Sequence, residues 1–465
     1  MLDRPAPGDR LAPVLDRLDA DRDGALDRLF ALLRIPSIST DPAHAAQCAA
    51  AADLLVDDLN GMGLRAERRD TPGRPMVVAH GGTGSPHLLF YGHYDVQPVD
   101  PLDLWDRDPF DPEIQETPRG KVIRARGASD DKGQLMTFVE AIRAWIAVHG
   151  GLPCKVTVLL EGEEESGSPS LVPFLRENAA ELSADVAMIC DTALVGEDIP
   201  AITTMLRGLV GEEVIVRGPA MDLHSGAYGG AAANPATALC RALAALHDAD
   251  GRVTLEGFYE GVPEVPAEVK ESWSRTGFDE EAFLREVGLS VPFGEKGRSV
   301  LEMIWARPTA EVNGIVGGYT GAGFKTVLPA EARAKVSFRL VGDQDPAKVR
   351  QAFRAHVRAA IPADCTAEFH EHGGAPASRM ALDTPFMEGT RQALSDEWPR
   401  EAAFIGCGGS IPIAGYFKDI LGMESVLAGF AREDDRVHSP NEKYMLSSFQ
   451  RGARSWARVL DAVTR

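Results

Sequence analysis

Three short apolar runs in the first two hundred residues each end in acidic or histidine side chains, and this pattern constrains the fold most. HLLFYGHYD ends on His93 and Asp95, KVTVLLEGEEE ends on residues 163–165, and DVAMICD ends on Asp191. In open α/β sheets, ligands bind in the crevice outside the carboxyl ends of the strands. The three endings therefore predict a single shared site along one edge of a sheet.

Length, charge and cysteine content limit the classes of protein that fit. A chain of 465 residues with 44% hydrophobic content predicts two domains. Its apolar stretches are strand-sized and its N-terminal residues lack a signal-peptide core, so we expect neither a membrane span nor export. Six cysteines without a CxxC pair favour reduced thiols and a cytoplasmic location. A net charge of −21 argues against a nucleic-acid partner.

The first part of the chain has the pattern of an α/β domain. The apolar runs MVVAH, LLFYG, KVTVLL and VAMIC are separated by helical stretches such as residues 132–148 and 170–178. Two further helices are expected at residues 11–33 and 46–62. Near-continuous apolar strands that alternate with helices predict a mostly parallel sheet with helices on both faces.

The middle of the chain changes character. EEVIVRG and ARAKVSFRLV alternate polar and apolar residues, and helical patterns lie at residues 234–247 and 346–359, which predicts a small sheet with helices on one side. The segments AFIGCGGSIPI and SVLAGF, and a helix at 447–463, then return to the first pattern. We therefore predict a catalytic domain formed by residues 1–206 and 384–465, with residues 207–383 inserted as a second domain.

Two motifs in the first domain contain candidate metal ligands. His93 and Asp95 lie two residues apart, and a metal-bound histidine commonly donates its other N–H to a carboxylate. A core histidine beside a turn aspartate is the alternative. In ASDDKG, the adjacent carboxylates of Asp130 and Asp131 repel unless a helix N-terminus or a cation offsets them. We expect Asp131 to cap the following helix and Asp130 to bind metal, with the ability to bridge two ions.

The glutamate run extends the candidate site. A solvated acidic face is the ordinary interpretation of such a run. Three carboxylates directly after an apolar strand, with few cations nearby, favour a bound metal instead. One glutamate could bind the ion while its neighbour acts as a general base. With Asp191 and with His438 of DDRVHSPNEK, the histidine and carboxylate ligands suit zinc, manganese or cobalt.

Two glycine-rich motifs do not support other chemistries. In GGYTGAGFKT, Phe324 separates Gly323 from Lys325 and breaks the sequence that a phosphate-binding loop requires. GCGGSIP lacks the GxSxG spacing of a serine nucleophile, so we expect its glycines to offer backbone N–H groups to a ligand.

The ordered motifs together resemble a known family. GHYDVQP, RGASDDKG, EGEEESGS, ICD, DLHSGAYGG, KTVLP, SFRLV, GGSIP and VHSPNEK are similar to the motif series of the dinuclear zinc metallopeptidases that include carnosinase, cytosolic non-specific dipeptidase, aminoacylase and succinyl-diaminopimelate desuccinylase. EGEEESGS and DLHSGAYGG most closely resemble the carnosinase-like dipeptidase branch. The resemblance implies a zinc-exopeptidase-like sheet and an inserted α+β, ferredoxin-like lid or dimerisation domain.

The resemblance also implies roles for residues of the first domain. Two divalent ions, zinc above all and manganese or cobalt as alternatives, would be held by a set of five side chains. Asp130 would bridge them, Glu164 would be the general base, and Asp95 would orient a histidine ligand. The Asp130–Asp131 peptide bond would be cis. The five implied ligands are His93, Asp130, Glu165, Asp191 and His438.

In the inserted domain, the resemblance implies substrate contacts and a homodimer. His224 would reach the partner subunit's active site and stabilise the oxyanion, while Thr326, Arg339 and Ser410 would contact substrate. Arg339 would clamp a terminal carboxylate through its planar guanidinium. A strand arginine that pairs with a surface carboxylate is the alternative for Arg339.

We therefore predict a dinuclear metal-dependent hydrolase that cleaves the amide bond of dipeptides or short peptides with a free carboxylate. An N-acyl-amino-acid deacylase is the first alternative, because Gly406 and Cys407 precede GGSIP where the dipeptidase branch often has charged residues. A metal-dependent peptide-binding protein without turnover is the second alternative.

Overall fold

The computed structural model describes residues 10–409 and 411–465, and the chain divides into two compact units. The first unit runs to Thr204 and resumes over Met380–Phe404 and Tyr416–Arg465. The second comprises Met205–Arg379 and Ile405–Gly415. The sequence predicted domain boundaries after residues 206 and 383, whereas the structure divides after residues 204 and 379. The structure also assigns residues 405–415 to the second unit.

The secondary structure alternates between strands and helices. The strands are β1 (Arg65–Arg69), β2 (Met76–Gly81), β3 (His87–His93), β4 (Glu113–Thr117), β5 (Gly120–Arg124), β6 (Lys155–Glu161), β7 (Val186–Ile189), β8 (Ala201–Leu206), β9 (Gly208–Arg217), β10 (Leu223–His224), β11 (Thr309–Gly317), β12 (Val327–Leu328), β13 (Glu331–Leu340), β14 (Thr366–Ala375), β15 (Ser378–Arg379), β16 (Ala403–Cys407), β17 (Glu424–Gly429) and β18 (Lys443–Met445). The α-helices are α1 (Ala12–Ala20), α2 (Arg22–Leu33), α3 (Ala45–Gly61), α4 (Lys132–His149), α5 (Leu171–Glu177), α6 (Ala179–Leu182), α7 (Ser225–Tyr228), α8 (Pro235–Ala244), α9 (Ala267–Arg275), α10 (Glu280–Glu286), α11 (Pro346–Ala360), α12 (Pro385–Glu397), α13 (Pro412–Leu421) and α14 (Leu446–Ala462).

The first unit is built on a central sheet in the order β1-β2-β6-β3-β7-β17-β8. The inner strands β6, β3, β7 and β17 are mutually parallel. β2 pairs antiparallel with β6, and β8 pairs antiparallel with β17. The inner strands are buried almost along their whole length, as their continuous apolar sequences require. The predicted mostly parallel α/β sheet is confirmed.

Helices cover both faces of this sheet, as the side chains of β3 show. Phe90 stacks on Phe138 of α4 at 3.8 Å between ring centroids and contacts Trp456 of α14 edge-on at 5.8 Å. The next residue, Tyr91, meets Phe417 of α13 edge-on at 5.8 Å. Since successive side chains of a strand point to opposite faces, α4 and α14 lie on one face and α13 lies on the other.

The second unit contains a four-stranded antiparallel sheet in the order β11-β13-β9-β14. In chain order the pattern is β9, α8, β11, β13, α11, β14, which is the β-α-β-β-α-β arrangement of a ferredoxin-like fold. In its core, one face of the sheet packs against the helices α8 and α11. The buried residues there include Val214, Leu239, Phe338 and Phe353. The predicted α+β, ferredoxin-like insertion is confirmed as a fold.

One predicted helix near the start of the chain is divided in the structure, and α9, α10 and α12 were not predicted. The single helix predicted for residues 11–33 is interrupted at Asp21, whose backbone leaves helical geometry (φ −106°, ψ 22°). The Asp21 carboxylate pairs there with Arg28 Nη2 at 3.1 Å, so a local ion pair accompanies the break. Within residues 10–409 and 411–465, no helix combines the length and apolar character that crossing a membrane requires.

Candidate active site

Strand register brings the predicted site residues to one edge of the central sheet. β3 lies between β6 and β7 and is parallel to both, and His93 at its end is opposite Glu161. The carboxyl ends of the three strands therefore lie side by side. The residues that follow them, including Glu164, Glu165 and Asp191, continue from this edge. The sequence predicted that the residues at the ends of these three strands would meet at one edge of a sheet, and the structure has them there.

Asp130 occupies the centre of the site. Its Oδ1 lies 3.1 Å from Nε2 of His93, and its Oδ2 lies 2.9 Å from Nε2 of His438. The two histidines come from segments 345 residues apart, one at the end of β3 and one in the loop before β18. A single carboxylate thus links both sides of the site through its two oxygens.

Five side chains form two groups that share Asp130. In the first group, donor atoms of His93, Asp130 and Asp191 all lie within 4.8 Å of one another, and the same holds for Asp130, Glu165 and His438 in the second. Glu165 Oε2 is 3.3 Å from His438 Nε2 and accepts a 2.7 Å hydrogen bond from the Gln97 amide. Each group combines an imidazole nitrogen with two carboxylates.

Asp95 connects the end of β3 with the glutamate run. Its carboxylate accepts the backbone N–H groups of Glu164 and Glu165 at 3.3 and 3.1 Å. Nδ1 of His93 lies 3.2 Å from the Asp95 carbonyl oxygen and 3.4 Å from its carboxylate. Because Asp95 is fully buried, it fixes the His93 ring and the following turn together.

The close packing of these groups shifts their pKa values in opposite directions. Burial and the charge of Asp130 raise the pKa of Asp191 well above its ordinary value. Burial acts to raise the pKa of Asp130 as well, but hydrogen bonds from His438 and His93 outweigh it and lower this pKa. Hydrogen bonds to Asp130 and Glu165 raise the pKa of His438 to about 10. Positive charge placed among these carboxylates would offset their mutual repulsion.

Glu164 lies beside the two groups but belongs to neither. It begins the 3-10 turn Glu164–Ser166, three residues after the last residue of β6. Burial is the largest influence on its carboxyl and, with the charges of Glu165 and Asp130, raises its pKa to about 7 although His93 opposes the shift. A carboxyl that titrates near neutral pH is suited to accept and return a proton.

Asp131 does not have the predicted capping contact. It occupies the N-terminal flanking position of α4, but its side chain makes no capping hydrogen bond there. Its Oδ2 instead accepts the N–H of His93 at 3.1 Å, so a tertiary contact replaces the local one. The capping prediction is therefore wrong. The Asp130–Asp131 peptide bond is cis, as the resemblance implied.

Two predicted substrate contacts lie on or beside a small two-stranded antiparallel sheet of the second unit. His224 of β10 is opposite Val327 of β12, and its exposed ring accepts the Gly226 N–H at Nδ1 over 2.9 Å. Thr326 directly precedes β12, and its carbonyl oxygen accepts the N–H of Ser225 at 3.1 Å. His224 and Thr326 are therefore brought together within this unit.

Arg339 lies on β13, at the centre of the sheet in the second unit. It is half-buried and is opposite Leu209 of β9 and Thr309 of β11. Burial lowers the pKa of Arg207 to about 10, and the next contribution comes from the charge of Arg339, which places two cationic side chains near each other. The predicted contact Ser410 lies outside the described residues.

The sequence interpretation missed two side chains that hold the site in place. Gln97 contacts Glu165, and Glu442 is a fully buried carboxylate beneath the loop that carries Asp130. Both lie inside recognised motifs, GHYDVQP and VHSPNEK. Glu442 directly precedes β18, and its place inside a recognised motif was the available signal.

Comparison with known proteins places this geometry in a family. Residues 89–462 match the sequence profile of peptidase family M20/M25/M40. The chain is 29% identical over 473 residues to the Cys-Gly metallodipeptidase DUG1 of Candida albicans, covering 96% of each protein. The crystal structure of human carnosine dipeptidase 1 is similar with a TM-score of 0.78 and 25% identity, covering 99% of this chain and 100% of that one.

A further solved structure is similar over nearly the whole chain. It is the M20 family metallo-carboxypeptidase Sso-CP2 from Sulfolobus solfataricus, with a TM-score of 0.80, 31% identity, and coverage of 95% of this chain and 99% of that one. The motif-based resemblance to the carnosinase-like dipeptidase branch is confirmed. By the extent of the matched profile, from β3 to the end of α14, this chain belongs to peptidase family M20/M25/M40.

Proposed function

We propose that this chain is a dinuclear metal-dependent hydrolase that cleaves dipeptides or short peptides with a free carboxylate. The observation that carries the proposal is the position of Asp130, whose two carboxylate oxygens each face a different histidine and a different group of potential ligands. Such an arrangement suits a carboxylate that bridges two cations. The relatives named as metallodipeptidases and carnosine dipeptidase support the choice of substrate class.

The donor set fits two divalent ions. His93, Asp130 and Asp191 would hold one ion, and Asp130, Glu165 and His438 would hold the other. Mixed imidazole and carboxylate ligands suit zinc, manganese or cobalt better than calcium or magnesium, which prefer oxygen ligands alone. When bound, the two ions would supply Lewis-acid polarisation of the peptide carbonyl and of the attacking water.

Glu164 would move the proton in this reaction. As general base, its carboxylate takes a proton from the attacking water, and as general acid it delivers that proton to the leaving amine. Asp95 holds the turn that carries Glu164 by accepting its N–H. Asp95 also lies against Nδ1 of His93, so it would keep the Nε2 of that ring directed at the metal.

Residues of the second unit would bind the substrate. Arg339, on the inner strand β13, would clamp the terminal carboxylate through two parallel N–H donors. Thr326 and Ser410 would contact the peptide. His224 would act across a homodimer, at the partner subunit's active site, where it would stabilise the oxyanion.

A substrate panel tests the reaction class. Metal-stripped protein and protein restored with zinc or manganese would be incubated with Cys-Gly, β-Ala-His, N-acetyl amino acids and N-succinyl amino acids, and amine release measured. We expect metal-dependent cleavage of the dipeptides. Cleavage of the acyl amino acids alone would replace the proposal with a deacylase, and tight peptide binding without cleavage would indicate a binding protein.

Mixing inactive subunits tests the shared site. Glu164→Ala and His224→Ala proteins, each inactive alone, would be unfolded together and refolded. In a mixed dimer, the site with Glu164 intact receives His224 from its partner, so about a quarter of the wild-type activity should return if subunits pair at random. Mixtures as inactive as either variant would show that His224 does not act across a dimer.

The six cysteines support a cytoplasmic location. Among them, Cys48, Cys154, Cys190 and Cys365 are buried free thiols in the structure. Unpaired thiols are typical of proteins from reducing compartments.

A further inference from the structure

The carboxylate of Glu442 lies beneath the loop that carries Asp130. Glu442 is fully buried, and its Oε1 accepts the N–H groups of Ser129 and Asp130 at 2.9 and 3.1 Å. Its Oε2 accepts the N–H of Gly127 at 3.0 Å and Nη1 of Arg126 at 2.7 Å. Both oxygens therefore bind two donors each, and three of the four donors are backbone groups of one short loop.

The cation in this arrangement is itself held firmly. Nη2 of Arg126 donates to the carbonyl oxygen of Pro98 at 3.0 Å, and its guanidinium lies over the ring of Trp105 at 5.3 Å. Arg126 is only 1% exposed. The charge of Glu442 is thus balanced inside the first unit by a cation that packing holds in one position.

The segment that contains Glu442 also carries the second histidine of the site. Between Asp435 and Glu442, three non-glycine residues have left-handed backbone geometry: Arg436 (φ 57°), His438 (φ 62°) and Asn441 (φ 63°). Such geometry is unfavourable and persists only where surrounding contacts determine it. Asp435 supplies one such contact, because its buried carboxylate accepts the Ser129 hydroxyl at 2.9 Å.

The hydrogen bonds of Glu442 join two segments that must meet for the site to form. One segment places the carboxylate of Asp130, and the other places the ring of His438. A buried carboxylate that accepts several N–H bonds resists movement of the backbone that donates them. Partners that orient metal ligands in this way set metal affinity.

We propose that Glu442 is a positioning residue that holds the Asp130 loop in its metal-bridging arrangement. This inference rests on the proposed function, in which Asp130 binds both ions. Glu442 does not touch the ions or the substrate; it acts through the backbone N–H of Asp130 itself and of the residues before it. Its loss therefore weakens binding at both metal positions.

A second buried carboxylate of the same unit provides a matched control. Glu140 of α4 is 2% exposed and also pairs with an arginine, with Arg28 Nε and Nη2 at 2.8 and 2.7 Å from its two oxygens. These contacts join α4 to α2 and do not involve the Asp130 loop. The variants E442Q and E140Q thus each remove the negative charge of a buried carboxylate that pairs with an arginine.

Zinc affinity separates a positioning role from a merely structural one. Metal-stripped wild-type, E442Q and E140Q proteins would be titrated with zinc against a chromophoric chelator, and their free energies of unfolding measured. In E442Q, the amide NH2 group replaces one carboxylate oxygen and faces two N–H donors in either orientation of the amide. Two of the four hydrogen bonds are therefore lost. We expect zinc binding weakened about 10- to 100-fold in E442Q, with faster amide hydrogen exchange over residues 127–130. E140Q should lose stability but retain wild-type zinc affinity.

Wild-type zinc affinity in a folded E442Q protein would overturn the inference. If E442Q does not fold, E442D decides the question, since it keeps the charge and withdraws the carboxylate by one methylene; weaker zinc binding supports the inference and unchanged binding overturns it. Failure of the wild-type protein to bind zinc or manganese would instead contradict the proposed function.

Discussion

At the scale of single residues, the neighbouring glutamates Glu163 and Glu164 have identical side chains but different surroundings. Glu164 follows the end of β6 in a turn whose N–H groups are held by Asp95, and its pKa is raised toward neutrality by burial. Glu163 lies one residue earlier, with its side chain close to Gly73. Glu164 therefore has the environment that the proposed general base requires.

Replacing Glu164 with glutamine should therefore abolish proton transfer and leave the metal ligands intact. We expect kcat to fall by about 10²- to 10⁴-fold, with zinc stoichiometry unchanged, measured by turnover assays and metal analysis. Glu163→Gln is the matched control and should keep a kcat close to the wild-type value. Equal losses in the two variants would mean that the base is assigned wrongly.

A buried carboxyl behind the site, that of Glu161, predicts how the stability of the folded protein depends on pH. Burial raises the pKa of Glu161 to about 8 from an ordinary 4.5, although a 2.6 Å hydrogen bond from the Tyr91 hydroxyl opposes the shift. The folded protein then binds a proton that the unfolded chain has lost. The contribution of Glu161 to stability is complete below about pH 4.5 and is lost as the pH rises to about 8.

Glu161→Gln should remove this dependence, because the amide oxygen still accepts the Tyr91 hydroxyl and carries no proton to lose. In metal-stripped protein with chelator present, we expect the free energy of unfolding of the variant to rise relative to wild type from about pH 5 to about pH 8. Urea denaturation at several pH values measures it. Parallel curves for the two proteins would contradict the assignment.

At the scale of elements, strand and helix patterns were predictable where one period dominated the sequence. The predictions for β3, β6 and β7, and for α4 and α11, agree closely with their observed bounds because burial on both faces or on one helix face fixes the pattern. The break at Asp21 and the side-chain contact of Asp131 were not predictable. The contact of Asp131 depends on His93, which only folding brings close. The ion pair of Asp21 with Arg28 is local, but the helical pattern of residues 11–33 continues through Asp21 without a signal of the break.

The packing of α4 and α14 on β3 predicts where stability is concentrated. Trp456 is 1% exposed and contacts Phe90, Phe138 and Phe430 at centroid distances of 5.6 to 6.2 Å. Trp456→Ala should lower the free energy of unfolding by about 3 to 5 kcal/mol, measured by chemical denaturation. Leu104→Ala, at a side chain that is 59% exposed, should change it by less than about 0.5 kcal/mol. Similar losses in both variants would contradict this account of the core.

At the scale of the whole molecule, the ordered motifs predicted the family and the central sheet. They also predicted that five separated side chains would meet, since three of them follow neighbouring parallel strands. The assignment of residues 405–415 to the second unit was not visible in the sequence, because apolar strand, glycine loop and helix continue there without a change of pattern. Nor did any local signal show that Glu442 would lie beneath the Asp130 loop, since their contact joins segments 312 residues apart.

We propose that Asp130 bridges two metal ions and that hydrolysis requires both of them. Zinc titrated into metal-stripped wild-type protein, with turnover of the best-cleaved dipeptide followed in the same samples, tests it most directly. We expect saturation at two ions per chain, with activity absent at the start and complete when both ions are bound. Saturation at one ion or none, or full activity in the stripped protein, would contradict it.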